Sequence, residues 1–408
     1  MSVNEAIYPY ADPLVELNLH IKFKHPWQCC SHVVDGLSGD GGDGPRVIIH
    51  CDLDAFFAAV ETLHHGFDDD VPLIIGSDPK QGRGRGIVST CNYAARAYGI
   101  RSAMPVSEAW RRCPAAPFGP AMYIRGTRGL YSRASRKVMS VLSDVADVFE
   151  KASIDEAYLD ITERVGGDWD AALALATNLQ QKILETVNLT ASFGIAPTRL
   201  VAKMASEVNK PNGVFRVMPD EVQSFFDGRS LRDIPGIGPK RATQLAEWGY
   251  TTADELYELG ELSLARLAGE RFAAWFMRVV DGESSDVVSP LRSRKSIGKE
   301  HTFERDQNDH EEVMRRLEQL VSLVMERAVG LGVSGRLAEV KIRYTGFETH
   351  TSGRSIPVAM DEEGVFKRLA SVLFATNIRP DSSVRLIGFR LGQLEIPESR
   401  QTTLFEEE

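Results

Sequence analysis

Four carboxylates in two short stretches carry the strongest chemical signal in this sequence. HCDLDAFF (50–57) places Asp52 and Asp54 where an apolar run passes into a helical pattern. ASIDEAYLDI (152–161) sets Asp155 and Glu156 side by side in a run that otherwise reads as a buried strand. Charge is rarely buried without a partner, because losing hydration is costly. Adjacent strand residues point to opposite faces, so Asp155 and Glu156 would not normally share a site. Local twist or a bulge could bring both round to Asp52. Three converging carboxylates need cations, and hard divalent ions with oxygen ligands supply them. Two such ions about 3.5–4 Å apart clamp the attacking and leaving oxygens of an in-line phosphoryl displacement. Simpler readings compete. Asp52 or Asp54 could cap a helix, and the second stretch could be a solvated hairpin, against which the apolar AYLDI argues. A D-x-D after a strand also opens haloacid-type phosphotransferases, but the later Lys and acidic pair they need are not placed here.

Other stretches offer phosphate chemistry. In STCNYAARAYGIRSAMP (89–105), Tyr93 and Arg96 lie one helical turn apart and share a face. With Lys210 of NKPNG they supply a hydroxyl, a bidentate cation and a point charge, the groups that phosphate binding wants. IPGIGPKRATQLAEWGYTTADEL (234–256) reads as helix, tight turn, helix. Its Gly236 and Gly238 would let backbone N–H groups approach a DNA phosphate, with Lys240 adding charge. QTTLF (401–405) is an apolar cluster in a polar, acidic tail.

These groups need elements to position them. RVIIHCDLD reads as a strand and AFFAAVETLHH as a helix; FDDDVPLIIGS is a turn and strand. KQGRGRG is a Gly/Arg loop, IVSTCNYAARAYG passes from strand to helix, and SEAWRRC is a short helix. Helices are expected over 127–145 and 168–187, flanking a hairpin in FEKASIDEAYLDI. TASFGIA is a strand, and Pro197 opens the helix that follows it. Residues 218–285 are helical with short loops. After a linker, 297–393 reads strand, helix, strand, strand, helix, strand, an α/β sandwich with helices on one face.

The bulk numbers limit the classes. A chain of 408 residues, 43% hydrophobic and 25% charged, suits two to four globular domains. There is no apolar run of membrane-spanning length, and the N-terminus lacks the pattern of a secretory signal. Five cysteines without C-x-x-C spacing suggest reduced thiols in the cytoplasm. The net charge of −10 argues at first against a nucleic-acid partner. Residues 1–45, however, hold six acids and two bases, and 394–408 five acids and one base. Most of the acidity sits in these tails, while 292–393 holds 17 bases and 14 acids.

Five stretches together are similar to one family. IIHCDLDAFFAAVE, STCNYAARAYGIRSAMP, SIDEAYLDIT, TASFGIAPTRLVAKMASEVNKPNG and IPGIGPK stand in the order and spacing of Y-family DNA polymerases, nearest the polymerase IV (DinB) branch. The resemblance covers about 46–393. It implies an α+β multidomain fold, a right-hand polymerase with palm, small fingers, helical thumb and α/β little-finger domain. The implied boundaries are palm 46–63 and 121–217, fingers 64–120, thumb 218–285, linker 286–296 and little finger 297–393. Residues 1–45 have no counterpart and read as a poorly ordered extension; 394–408 is a tail.

The resemblance further implies template-directed DNA synthesis of low fidelity and processivity, including past damaged bases, with two Mg²⁺ ions. Asp52, Asp155 and Glu156 resemble the catalytic metal-binding carboxylates, with the Leu53 carbonyl a further ligand. Phe57 resembles the steric gate, a ring that leaves no room for a 2′-hydroxyl. Thr90, Tyr93, Arg96 and Lys210 resemble the triphosphate contacts, and Ile87 and Ser89 would lie over the nascent base pair. QTTLF resembles the bacterial sliding-clamp motif, through Gln401, Leu404 and Phe405, with Thr403 where a small or acidic residue is common. The implied partners are primer–template DNA, a deoxynucleoside triphosphate and the clamp, with the chain a monomer. A non-catalytic, polymerase-like scaffold that binds DNA and clamp is the rival; the presence of all three acids favours the enzyme.

Overall fold

The computed structural model describes residues 44–283, 287–290 and 294–396. The expected extension, apart from residues 44 and 45, lies outside these, as do parts of the linker and all of the QTTLF stretch with Gln401, Leu404 and Phe405.

Three sheets organise the chain. The first uses β1 (Ile48–Leu53), and the second uses β2 (Leu73–Gly76), β3 (Val88–Cys91) and β4 (Met122–Ile124). The chain then returns to the first sheet with β5 (Val148–Lys151), β6 (Glu156–Asp160), β7 (Ala191–Ala196) and β8 (Val214–Arg216). Its order is β5-β6-β1-β7-β8. Alternation along β1 sends Ile49, Cys51 and Leu53 to one face, where Leu159, Phe193 and the helices Leu130–Ser143 and Trp169–Val187 complete a core. The second of these helices buries Ala172, Ala176, Leu179 and Ile183 at helical spacing. Asp168 caps it by accepting from the Asp170 and Ala171 N–H groups.

Ile48, His50 and Asp52 face the other way, toward the helix Arg199–Ser206. This helix lies against β7 because Gly194 has no side chain there. A Cβ on Gly194 would come within 3.0 Å of backbone atoms of Ala202, Ala205 and Ser206. Thr198 caps the helix through its hydroxyl, so Pro197 precedes the cap and does not sit in the first turn as expected. The same core continues into the helical region, through Phe226, Leu231, Leu245, Leu256 and Phe276.

The small sheet runs β3-β2-β4, with β2 and β4 parallel. It therefore extends through Ile124, past the expected boundary at 120. Asn92 ties it together: its side-chain oxygen accepts from Ala95 N and Leu73 N, and its amide donates to the carbonyls of Asp69 and Val71.

The third sheet uses β9 (Ser296–Gln307), β10 (Ser334–Tyr344), β11 (Thr349–Met360) and β12 (Val384–Glu395), in the order β11-β10-β12-β9. The helices His310–Val329 and Glu363–Asn377 pack against it, and Val313, Leu317, Val321, Phe366 and Phe389 form a core of its own. Two ion pairs join β9 to the Gly/Arg loop. Arg85 lies 2.5 Å from Asp306, and Lys80 lies 3.2 Å from Glu304. Among the described residues, no helix is long and apolar enough to cross a membrane.

Candidate active site

The site is built at the end of β1. Asp52 pairs in register with Glu156 of β6 on one side and with Ser192 of β7 on the other. Residues directly opposite in an antiparallel pair share a face. Asp52 and Glu156 therefore meet on the face covered by Arg199–Ser206. Asp155 lies just before β6, outside the regular strand. Its carbonyl accepts from Leu53 N at 3.0 Å, which straps the bend to β1. Ser153 builds the bend: its hydroxyl accepts the N–H groups of Asp155 at 3.1 Å and Glu156 at 3.0 Å and donates to the Asp155 carboxylate. The strand alternation thus brings two of the three expected acids together. Asp155 is joined to them through its backbone, its carboxylate held by Ser153. Among the described residues, no three His, Cys, Asp or Glu side chains are gathered into a metal-holding group.

Cations meet each facing acid. Lys210 Nζ lies 3.0 Å from Asp52 and 2.5 Å from Glu207. Lys203 Nζ lies 2.7 Å from Glu156. His50, fully buried, stands 3.8 Å from Glu156 through Nε2 and pairs with the Ser206 hydroxyl at 2.8 Å through Nδ1. Burial pushes the Asp52 carboxyl up to about 7, against the pull of Lys210, with Glu207 and Glu156 adding to the rise. Glu156 is held at about 2 by His50 and Lys203. Burial lowers His50 and so favours its neutral form. Burial works against the charge on Lys210, but Asp52 and Glu207 outweigh it and raise its pKa.

Asp54 caps no helix. The helix Phe56–His65 starts after Ala55 without a side-chain cap. Asp54 is buried and accepts from the Ser192 hydroxyl and from Asn212 N, each at 2.8 Å. It thereby anchors the turn that carries Lys210. A cavity of 350 Å³ opens beside it, lined by Asp54, Asn92, Tyr93, Thr190 and Asn212 among others. Tyr93 and Arg96 share a helix face as expected, with the guanidinium 4.7 Å from the ring centre. Burial and Asp54 raise the Tyr93 phenol, while Arg96 and Lys210 oppose, so these groups share one electrostatic neighbourhood. Thr90 sits on β3 opposite Ile75. Ser89 and Ile87 are exposed. Phe57 stacks on Tyr131, ring centres 4.2 Å apart.

The 234–256 stretch differs in part from expectation. Before the PGIGPK turn stands one 3-10 turn, Leu231–Asp233, in place of a full helix; the helix Pro239–Glu247 follows. Gly236 has φ +106°, and a Cβ there would stand 2.8 Å from the Trp275 ring, so only glycine fits. Gly238 caps the following helix and Lys240 is exposed.

Sequence reasoning missed Ser153, Lys203, His50 and the true role of Asp54. Ser153 bonds within its own motif, two and three residues along, whereas the partners of Lys203, His50 and Asp54 lie on other strands, helices and turns.

Facing carboxylates at one end of a five-stranded sheet, a small sheet followed by a short helix bearing Tyr93 and Arg96, a helical region and a separate C-terminal sheet define a right-hand polymerase. Models of the impB/mucB/samB family and of its C-terminal domain match residues 51–207 and 294–404, and a SAM-like helix-hairpin-helix tandem matches 228–269. DNA polymerase IV of Methanoculleus marisnigri is 38% identical over 89% of this chain and 98% of its own length. DNA polymerase IV of Streptococcus thermophilus is 35% identical over 89% and 97%. The chain belongs to this family and is a Y-family DNA polymerase of the polymerase IV type. A solved Y-family chimera of Dbh and Dpo4 shares 28% identity at a TM-score of 0.76, covering 86% of this chain and all of the chimera. An insertion ternary complex of Dbh DNA polymerase shares 27% identity at a TM-score of 0.61, covering 85% and 98%.

Proposed function

We propose that this chain extends a DNA primer along a template, including past damaged bases, with Asp52, Asp155 and Glu156 as the metal-binding carboxylates. The observation that carries the reading is the Asp52–Glu156 rung at the end of β1, with Lys210 and Lys203 beside it. Hard oxygen donors suit Mg²⁺, and burial makes the Asp52 carboxylate costly without added positive charge. The Asp52, Asp155 and Glu156 side chains and the Leu53 carbonyl would hold two Mg²⁺ ions. When bound, the ions would lower the pKa of a primer 3′-hydroxyl and stabilise charge on the transferring phosphate.

The remaining work belongs to the chain. Lys210 is placed to exchange Asp52 for a triphosphate oxygen, and Tyr93, Arg96 and Thr90 would orient the same group. Phe57 would exclude a 2′-hydroxyl, and the exposed Ile87 and Ser89 would cover the nascent pair, leaving room for bulky templates. Gly236, Gly238 and Lys240 would grip a DNA phosphate without reading sequence. Gln401, Leu404 and Phe405 would tether the chain to a sliding clamp, compensating low processivity. The chain would act as a cytoplasmic monomer.

The non-catalytic scaffold is disfavoured by the full acidic set and by relatives named as polymerases. The test is primer extension on undamaged and lesion-bearing templates with Mg²⁺. Incorporation opposite both supports the reading; DNA binding without incorporation on either template overturns it.

A further inference from the structure

The helix Phe56–His65 carries a buried acid that the reaction does not use. Glu61 has no exposed surface. It accepts from Thr127 N at 2.6 Å, the Thr127 hydroxyl at 2.9 Å and the Tyr131 hydroxyl at 2.5 Å, and His65 stands 3.1 Å away. An apolar group of the same shape could fill such a space with equal or better stability. A carboxylate with three donors gives something packing does not, a fixed position for each donor.

One of those donors touches the steric-gate candidate. Glu61 follows Phe57 by four residues, so both side chains project from the same face of the helix. Tyr131, on the helix Leu130–Ser143, spans the two. Its hydroxyl is bonded to Glu61, and its ring stacks on Phe57 at 4.2 Å with an 18° interplanar angle. Phe56 borders both rings at 5.6 and 6.3 Å. Phe57 is thus backed on one side by a ring that is itself pinned.

We propose that Tyr131, anchored by Glu61, is a positioning residue that holds the Phe57 ring where it discriminates deoxyribose from ribose. This rests on the reading of Phe57 as the gate. A gate works by occupying the volume of one hydroxyl, and a ring free to tilt would vacate it. Misplacement by about 1 Å can change a rate by roughly a hundredfold. Tyr131 touches neither sugar nor phosphate in this role.

The test is single-nucleotide insertion of matched dNTP and rNTP by the full chain, read as the ratio of their kcat/KM values. Phe57→Ala tests the gate itself. Tyr131→Ala should lower the ratio at least about tenfold through a rise in ribonucleotide insertion, which general structural damage would not produce. Tyr131→Phe keeps the ring and loses the anchor, and Glu61→Gln weakens it; each should lower the ratio several-fold. Phe57→Ala/Tyr131→Ala should match Phe57→Ala alone, because Tyr131 acts through that ring. If Phe57→Ala relaxes sugar choice while Tyr131→Ala or a folded Tyr131→Phe leaves the ratio unchanged, the positioning role is overturned and the gate stands. A double variant showing the product of the two single losses also overturns it. If Phe57→Ala leaves the ratio unchanged, the gate reading fails and this proposal falls with it. Thermal unfolding of each variant identifies any that do not fold, and Tyr131→Phe then decides.

Discussion

Gly194→Ala should damage both the fold and the chemistry, although residue 194 touches no reactant. A Cβ at this position lies under 3.0 Å from Ala202 O, Ser206 N and the Ala205 carbonyl carbon. All three are backbone atoms of one helix, so no rotamer change relieves the clash. Ordinary contact begins near 3.4 Å and Ala202 O would stand at 2.0 Å, so the helix must retreat from β7 by more than about 1 Å. Overpacking of this kind costs about 1–3 kcal/mol, and a backbone clash belongs at the upper end. At about 2–4 °C per kcal/mol for a unit of this size, 3 kcal/mol predicts a fall in Tm of roughly 6–12 °C. The same retreat pulls Lys203 away from Glu156, now 2.7 Å apart. Primer extension measured well below the new Tm should fall by about a hundredfold, since a 1 Å error in a catalytic constellation has that effect. DNA affinity, set by surfaces elsewhere, should change little. Differential scanning fluorimetry and single-turnover extension read the two effects separately. Wild-type Tm and wild-type extension in Gly194→Ala would refute the reasoning that the glycine seats the helix.

Asp155→Ala should abolish primer extension while a filter-binding or anisotropy assay still detects DNA; full extension by this variant would remove Asp155 from the site. Burial pushes Glu61 up, but its bonds to Tyr131 and Thr127 outweigh this and leave its carboxyl below the usual range. A depressed carboxyl stabilises the fold above its unfolded pKa, near 4.3, and that contribution is lost as pH falls through the folded value. Acid unfolding of Glu61→Gln should therefore begin from a lower stability at pH 7 and depend less on pH below about 4.3 than the parent does; superimposable curves would contradict it. Replacing Gln401, Leu404 and Phe405 together by Ala should weaken binding to a bacterial sliding clamp and shorten extension products only when the clamp is present.

Much of the fold was legible because the apolar pattern was regular. The strand-to-helix passage at 48–65 and the hairpin at 148–160 follow from alternation and spacing alone. The same alternation put Glu156 opposite Asp52 once the register was known, and left Asp155 outside the strand. Most of what stayed hidden depended on distant partners. Lys203 reaches Glu156 across 47 residues, and Tyr131 reaches Glu61 across 70. No local period reports such contacts. Competition between local signals hid other details. Pro197 looked like a helix start, but the Thr198 hydroxyl took the cap. The first helix of the 234–256 motif shrank to a 3-10 turn between the Ser230 cap and Pro235.

The pairs Arg85–Asp306 and Lys80–Glu304 join two sheets whose cores do not merge. Exposed pairs of this type contribute at most about 1 kcal/mol each and weaken with salt. Among the described residues these two pairs tie the C-terminal sheet to the Gly/Arg loop, while a core of its own fills its interior. That separates heritable shape from heritable placement. A C-terminal sheet transplanted from a relative would bring its own residues at 304 and 306 to meet Lys80 and Arg85. Single charge substitutions on either side would then retune how this sheet rests against the Gly/Arg loop without touching any core.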